Sequence, residues 1–200
     1  MKNIKYLVLC MAIALINCER DDICASTTTT TPRLIIEFYD MDDAEELKDV
    51  PRLTAYGEGL VVDENGMVTE PTASSDSIIV DYENEDLYVF DTNTDIIALP
   101  LKLTDDLGNN FVTTRYVLEK DTSSRLDTDE DTVSNIDILE ITYQIDFSYV
   151  SRACGYKTIF TQLNVTRILD SNPWISSIII EDNIENSVEN ENTTHVRIYH

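Results

Sequence analysis

Across residues 141–149 the chain alternates without a break. Ile141, Tyr143, Ile145, Phe147 and Tyr149 fall on one side; Thr142, Gln144, Asp146 and Ser148 fall on the other. A period of two is the mark of a half-buried β-strand, because successive side chains of an extended chain point to opposite faces. Ile136 and Ile138 stand in the opposite phase, which predicts a bulge near Leu139–Glu140. Residues 151–155 then turn the chain into 156–169, a second strand-like run. The expectation is a long antiparallel hairpin with Cys154 at its tip.

The rest of the chain repeats the theme in shorter pieces. Leu34, Ile36 and Phe38 alternate with Ile35, Glu37 and Tyr39. Asn65-Gly66 lies between Leu60-Val61-Val62 and Met67-Val68-Thr69, and Asn-Gly between apolar runs is a strong hairpin signal. Residues 77–82, 87–90, 96–103, 111–118, 174–180 and 195–199 also read as strands, with turns at 105–110 and loops at 121–135 and 181–194. Pro100 marks 96–103 as a sheet edge or a bulge. Only 42–50, DDAEELKDV, has helical character, and it is long enough for one or two turns at most. Nine or ten short strands predict an all-β fold: an antiparallel β-sandwich, roughly immunoglobulin-like, with at most one short helix. A small β-barrel is the alternative. The Cys–Trp–Cys spacing of true immunoglobulin domains is absent, since Trp174 follows both Cys24 and Cys154.

The amino terminus carries a different signal. Lys2 and Lys5 precede an uncharged apolar run at 7–16, the layout of a secretory signal and too short to span a bilayer. The run ends Leu15-Ile16-Asn17-Cys18, which resembles a bacterial lipobox, with Asn17 where Gly, Ala or Ser is usual. That resemblance makes Cys18 the lipidated first residue after cleavage. Glu19, Arg20, Asp21 and Asp22 follow, and an acidic cluster there resembles the surface-export signal of Bacteroidota lipoproteins. Residues 25–32, ASTTTTTP, form a polar spacer. The expected organisation is a signal peptide at 1–17, a lipidated acidic and Thr-rich tether at 18–32, and a single β-sandwich domain at 33–200. The four cysteines divide accordingly: Cys10 is discarded, Cys18 carries lipid, and Cys24 and Cys154 remain in an oxidising compartment. Two left over point to one disulfide. The alternative is a reactive thiol at Cys154, near Arg152 and Lys157.

Charge and composition narrow the function. Thirty-eight acids against fourteen Lys and Arg give −24, and removing residues 1–17, which hold two Lys and no acid, leaves −26. Such a chain is no nucleic-acid binder, because phosphate contacts need cations. With five Gly it has no phosphate-cradling loop, and its two histidines, His195 and His200, fall in the last six residues, a poor place for a triad member. Asp91-x-Asn93-x-Asp95 starts like a calcium loop but continues with Ile96 where Gly is required. Asp127, Asp129, Glu130 and Asp131 form a denser cluster, a weak calcium candidate against the plainer reading of a solvated acidic loop. No metal site, no cofactor and no catalytic residue is assigned. Paired carboxylates of a glycan hydrolase are hidden among so many acids that no pair stands out.

Several stretches together, namely the lipobox, Cys18–Cys24, the Thr-Pro spacer, residues 32–40, Leu99-Pro100-Leu101 and Cys154-Gly155-Tyr156, resemble an uncharacterised Bacteroidota lipoprotein family, a domain of unknown function. The resemblance covers essentially the whole mature chain and brings no activity with it. The expectation is a lipid-anchored outer-membrane protein, held by its N-terminal lipid and displayed on the cell surface rather than the periplasmic face. It would act as a binding or scaffold module for a protein or glycan partner. The alternatives are a carboxylate-based glycan-acting enzyme, or an accessory subunit of surface secretion or polysaccharide-uptake machinery.

Overall fold

The computed structural model describes residues 24, 31–104, 110–127, 129 and 132–200. Among them run nine strands, β1 (Leu34–Tyr39), β2 (Val50–Gly57), β3 (Thr92–Thr94), β4 (Ile96–Leu99), β5 (Val112–Lys120), β6 (Asn135–Ser151), β7 (Gly155–Arg167), β8 (Ser177–Ile180) and β9 (Val196–Tyr199). They form two sheets, ordered β4-β1-β9-β8 and β3-β2-β5-β6-β7. The fold is an all-β sandwich. Its core takes Leu34, Ile36 and Phe38 from β1 and Val196 and Ile198 from β9. Opposite them lie Leu53, Leu118, Leu139, Ile141, Tyr143 and Phe160 of the larger sheet.

The sheets are not wholly antiparallel: β1 and β9 pair in parallel, Ile36 beside Val196 through Tyr39 beside Tyr199. Strands joined by tight turns must run antiparallel, but almost the whole domain lies between these two, so no turn dictates their direction. Both are central strands, and β1 is buried on both faces except at Glu37, which fits its nearly continuous apolar sequence.

The long hairpin forms as the alternation predicts, with Leu139 opposite Arg167 at one end and Ser151 opposite Gly155 at the other. Its bulge is elsewhere. The register of β5 with β6 runs unbroken from Lys120–Asn135 to Val112–Tyr143, so no bulge sits at Leu139–Glu140. Ile138 keeps its outward phase because Tyr56, Val61 and Val117 make a second apolar cluster there. The register shifts instead between Thr142 and Gln144 of β6, opposite Gln162 and Leu163 of β7. Gln162 takes a left-handed φ of 53°, and the Leu163 N–H is satisfied by the Asn186 carbonyl at 2.8 Å. The extra residue changes parity: Thr158 and Phe160 are buried before it, Leu163 and Val165 after it.

The expected helix at 42–50 is absent. Asp40 N–H donates to the Glu46 carbonyl, Lys48 N–H to that of Phe38, and Leu47 bridges Tyr39, so the segment is a tight link into β2. The described helix is instead α1 (Thr122–Leu126), in a stretch that reads as loop. Tertiary bonds hold this single turn: the buried Thr122 hydroxyl donates to Thr54 Oγ1 at 2.8 Å, and Arg125 clasps Glu119. The predicted strands at 60–69, 77–82 and 87–90 reduce to isolated bridges, Val62–Val68, Tyr56–Ile78 and Val80–Tyr88. Ile79 and Val89 still reach the core. The Asp63 carboxylate accepts from the N–H groups of Asn65 and Met67, and Gly66 supplies the positive φ of the turn between them. β4 lies at a sheet edge and stops one residue before Pro100, as proline requires. Most of the expected turn at 105–110 lies outside the described residues.

Candidate functional site

The β6–β7 hairpin outgrows the sandwich. Along its core-facing side Leu139, Ile141 and Tyr143 are fully buried, while Phe147 is 46% and Tyr149 58% exposed. Tyr149 pairs across the hairpin with Tyr156, itself 66% exposed, and the two rings meet edge to face with centroids 5.5 Å apart. Arg152, Ala153 and Cys154 form the loop. Gly155 after them has φ +70°, the left-handed residue that closes a three-residue hairpin connection. The Cys154 N–H donates to Ser151 Oγ at 3.0 Å. Cys154 is disulfide-bonded to Cys24, with Cα atoms 4.8 Å apart, so Cys24 is fastened to the far end of the hairpin. Of the residues expected to form the tether, 18–32, Cys24, Thr31 and Pro32 are described. Cys18, Glu19, Arg20, Asp21 and Asp22 lie outside the described residues.

Among the described residues two carboxylates are wholly buried, Glu119 and Asp137. They belong to neighbouring strands, but Glu119 pairs with Ile136 and Asp137 with Leu118, so they point to opposite faces of the sheet. Asp137 faces the core. It accepts from the N–H groups of Trp174 and Ile175 at 2.9 and 2.7 Å and pairs with Arg167 at 3.3 Å. Burial pushes its carboxyl above the ordinary range, against the pull of those N–H groups and of Arg167. Glu119 faces outward and is held by Arg125 Nε and Nη2 at 2.6 and 2.9 Å and by Ser134 Oγ at 2.6 Å. With a sheet between them the two acids do not act on one substrate bond, and each has a structural cation. Neither stood out in the sequence, because nothing local separates them from the other acids. A charged residue in register with a buried strand position was the available sign.

Arg125 also borders a cleft of about 490 Å³ on the outer face, lined by Glu70, Asp127, Thr132, Ser134 and Ile136 among others. Its acidic rim includes two of the calcium candidates. The Asp127 carboxylate accepts from Thr132 Oγ1 at 2.8 and 2.9 Å and from the Asp129 N–H at 3.0 Å, bonds that tie the loop to itself. Glu130 and Asp131 lie outside the described residues. Among the described residues no three His, Cys, Asp or Glu side chains are grouped to hold a metal ion. Asp91 and Asn93, the start of the incomplete calcium motif, are engaged by Arg52, through a 2.9 Å ion pair and an N–H bond of 2.9 Å.

The histidines join segments distant in sequence. His195 is buried, its N–H donates to the Ile35 carbonyl at 3.0 Å, and its Nδ1 accepts from the Ile35 N–H at 2.9 Å. Burial lowers its pKa below the usual value. His200 packs edge-on against Phe38 and Trp174, and its Nε2 meets the Lys48 carbonyl. Arg33, at the start of β1, forks onto Glu191. Burial raises the Glu191 carboxyl, and the Arg33 bonds outweigh it, so the acid sits below its ordinary range.

No curated protein and no solved structure matches the chain. A family model does, over residues 66–200, a span that takes in α1, the long hairpin and Cys154. By that match the chain belongs to DUF6452, a family of unknown function.

Proposed function

We propose that this protein is an outer-membrane lipoprotein of the Bacteroidota type, anchored through lipid on Cys18 and displayed at the cell surface as a binding or scaffold module. The observation that carries the reading is Leu15-Ile16-Asn17-Cys18 at the end of a positively headed apolar run. Glu19, Arg20, Asp21 and Asp22 behind it support export to the outer face. An acylated N-terminal cysteine carries several chains, enough for stable attachment. The binding role follows from this anchoring signal in a sequence that carries no recognised catalytic motif.

Growth with an alkyne fatty acid tests the anchor: the parent protein takes up the label and Cys18→Ser does not. Protease added to intact cells separates the two faces of the membrane, with digestion expected. Affinity capture from native membranes tests the binding role. Retention of neither a protein nor a glycan contradicts it, and so does glycan cleavage by the purified protein.

A further inference from the structure

The hairpin tip combines three features that fit a lipid surface. Its exposed rings, Phe147, Tyr149 and Tyr156, continue the core-facing stripe past the end of the sandwich, where the opposite sheet no longer covers them. It also lies in the longest acid-free stretch of the mature chain. Between Asp146 and Asp170 no carboxylate occurs, while Arg152, Lys157 and Arg167 do, in a protein with 38 acids. The Lys157 ammonium donates to the Glu189 carbonyl, and Arg152 stands exposed in the loop. Finally, the disulfide holds Cys24 against Cys154, and Cys24 is only six residues from Cys18. Six extended residues span about 20 Å at most. β6 has 17 residues, so its start lies roughly 50 Å from the tip at about 3.3 Å per residue.

We infer that the hairpin tip rests on the bilayer that holds the Cys18 lipid, with Phe147, Tyr149 and Tyr156 in the interfacial layer and Arg152 and Lys157 at the level of the phosphates. The inference rests on the anchor proposed above. Tyrosine suits that layer because its ring is apolar and its hydroxyl is wet, and Lys and Arg stems lie along apolar surface with their charge in water. Glu19, Asp21 and Asp22, and Glu189 beside Lys157, oppose attraction to anionic headgroups, so the rings carry the contact. Such a tip fixes which end of the sandwich faces the membrane and turns α1 and the amino end of β6 outward.

The lipidated full-length protein, purified from membranes, is reconstituted into phosphatidylethanolamine–phosphatidylcholine vesicles with brominated acyl chains. Tyr156→Trp is expected to lose about half its added emission or more to bromine, as an interfacial ring should. Leu126→Trp, on α1 at the other end, is expected to lose none beyond the buried Trp174 background. Adding Cys24→Ser and Cys154→Ser to Tyr156→Trp leaves the protein on the vesicles and releases the quenching. Unquenched Tyr156→Trp in lipid-labelled, vesicle-bound protein overturns the inference and leaves the anchor standing; this is also the outcome if a partner protein covers the rings. Protein without lipid on Cys18 overturns both.

Discussion

Arg125 is three-quarters hidden or more, and it stands beside a carboxylate with no exposure at all. Removing one partner of such a pair leaves a charge buried without its counter-ion. Arg125→Met is therefore expected to destabilise by about 3–5 kcal/mol in denaturant unfolding. The double variant with Glu119→Met recovers much of that loss, because an apolar pair has no charge to desolvate. Equal losses in the single and double variants contradict this account of the pair. His195 gives a pH signature. Its folded pKa is depressed by burial, so on acidification the unfolded chain takes the proton first. The contribution of the neutral ring is complete above the ordinary value of 6.5 and is lost as pH falls through the folded value. His195→Asn keeps an acceptor for the Ile35 N–H and removes the titration. Its melting temperature should fall less steeply than the parent's between about pH 7 and pH 5. Identical slopes contradict this, with Glu191 and the other carboxylates common to both proteins.

Among the elements the hairpin bulge is the most exposed to test. Deleting Gln162 removes the extra residue, sets Leu163 opposite Tyr143 and leaves Leu163 and Val165 facing the core with both flanking registers kept. Cooperative thermal unfolding is expected to persist. Gln162→Gly keeps the register and relieves a left-handed side chain, so its stability should stay within about 1 kcal/mol of the parent. A deletion variant that loses cooperative unfolding contradicts the parity argument. The same bulge shows what was legible in the sequence. Alternation over 141–149 was enough to identify β6 and its hairpin, because one face is buried and the period is two. Off-phase Ile138 suggested a break in β6, but a second apolar cluster on the outer face accounts for it, and that cluster comes from Tyr56 and Val61 far away in sequence. Likewise 42–50 has helix-forming residues but closes into a link between two paired strands. α1 exists where Thr122 and Arg125 find partners on other strands. Of the parallel pairing of β1 with β9 the one local sign is the nearly continuous apolar run of β1.

At the scale of the whole molecule, the cysteines were the most informative residues. Their number and positions were enough to propose the Cys24–Cys154 bond, whereas the buried roles of Glu119, Asp137 and His195 needed the fold. That bond closes a sequence separation of 130 residues. Cys24→Ser with Cys154→Ser is expected to lower stability by about 2–5 kcal/mol, read from denaturant midpoints, while leaving the strands in place by circular dichroism. An unchanged midpoint contradicts it. The net charge of −24 suits a well-solvated domain that resists self-association. The acid-free stretch between Asp146 and Asp170 is the break in that charge, and it holds the Cys154 end of the disulfide. Everything proposed about location depends on Cys18. The most direct measurement is mass spectrometry of the amino-terminal peptide of the protein isolated from its native membranes. The account predicts a peptide that begins at Cys18 and carries glyceride and acyl chains. A peptide that retains residues 1–17, or one cut elsewhere with Cys18 unmodified, contradicts it.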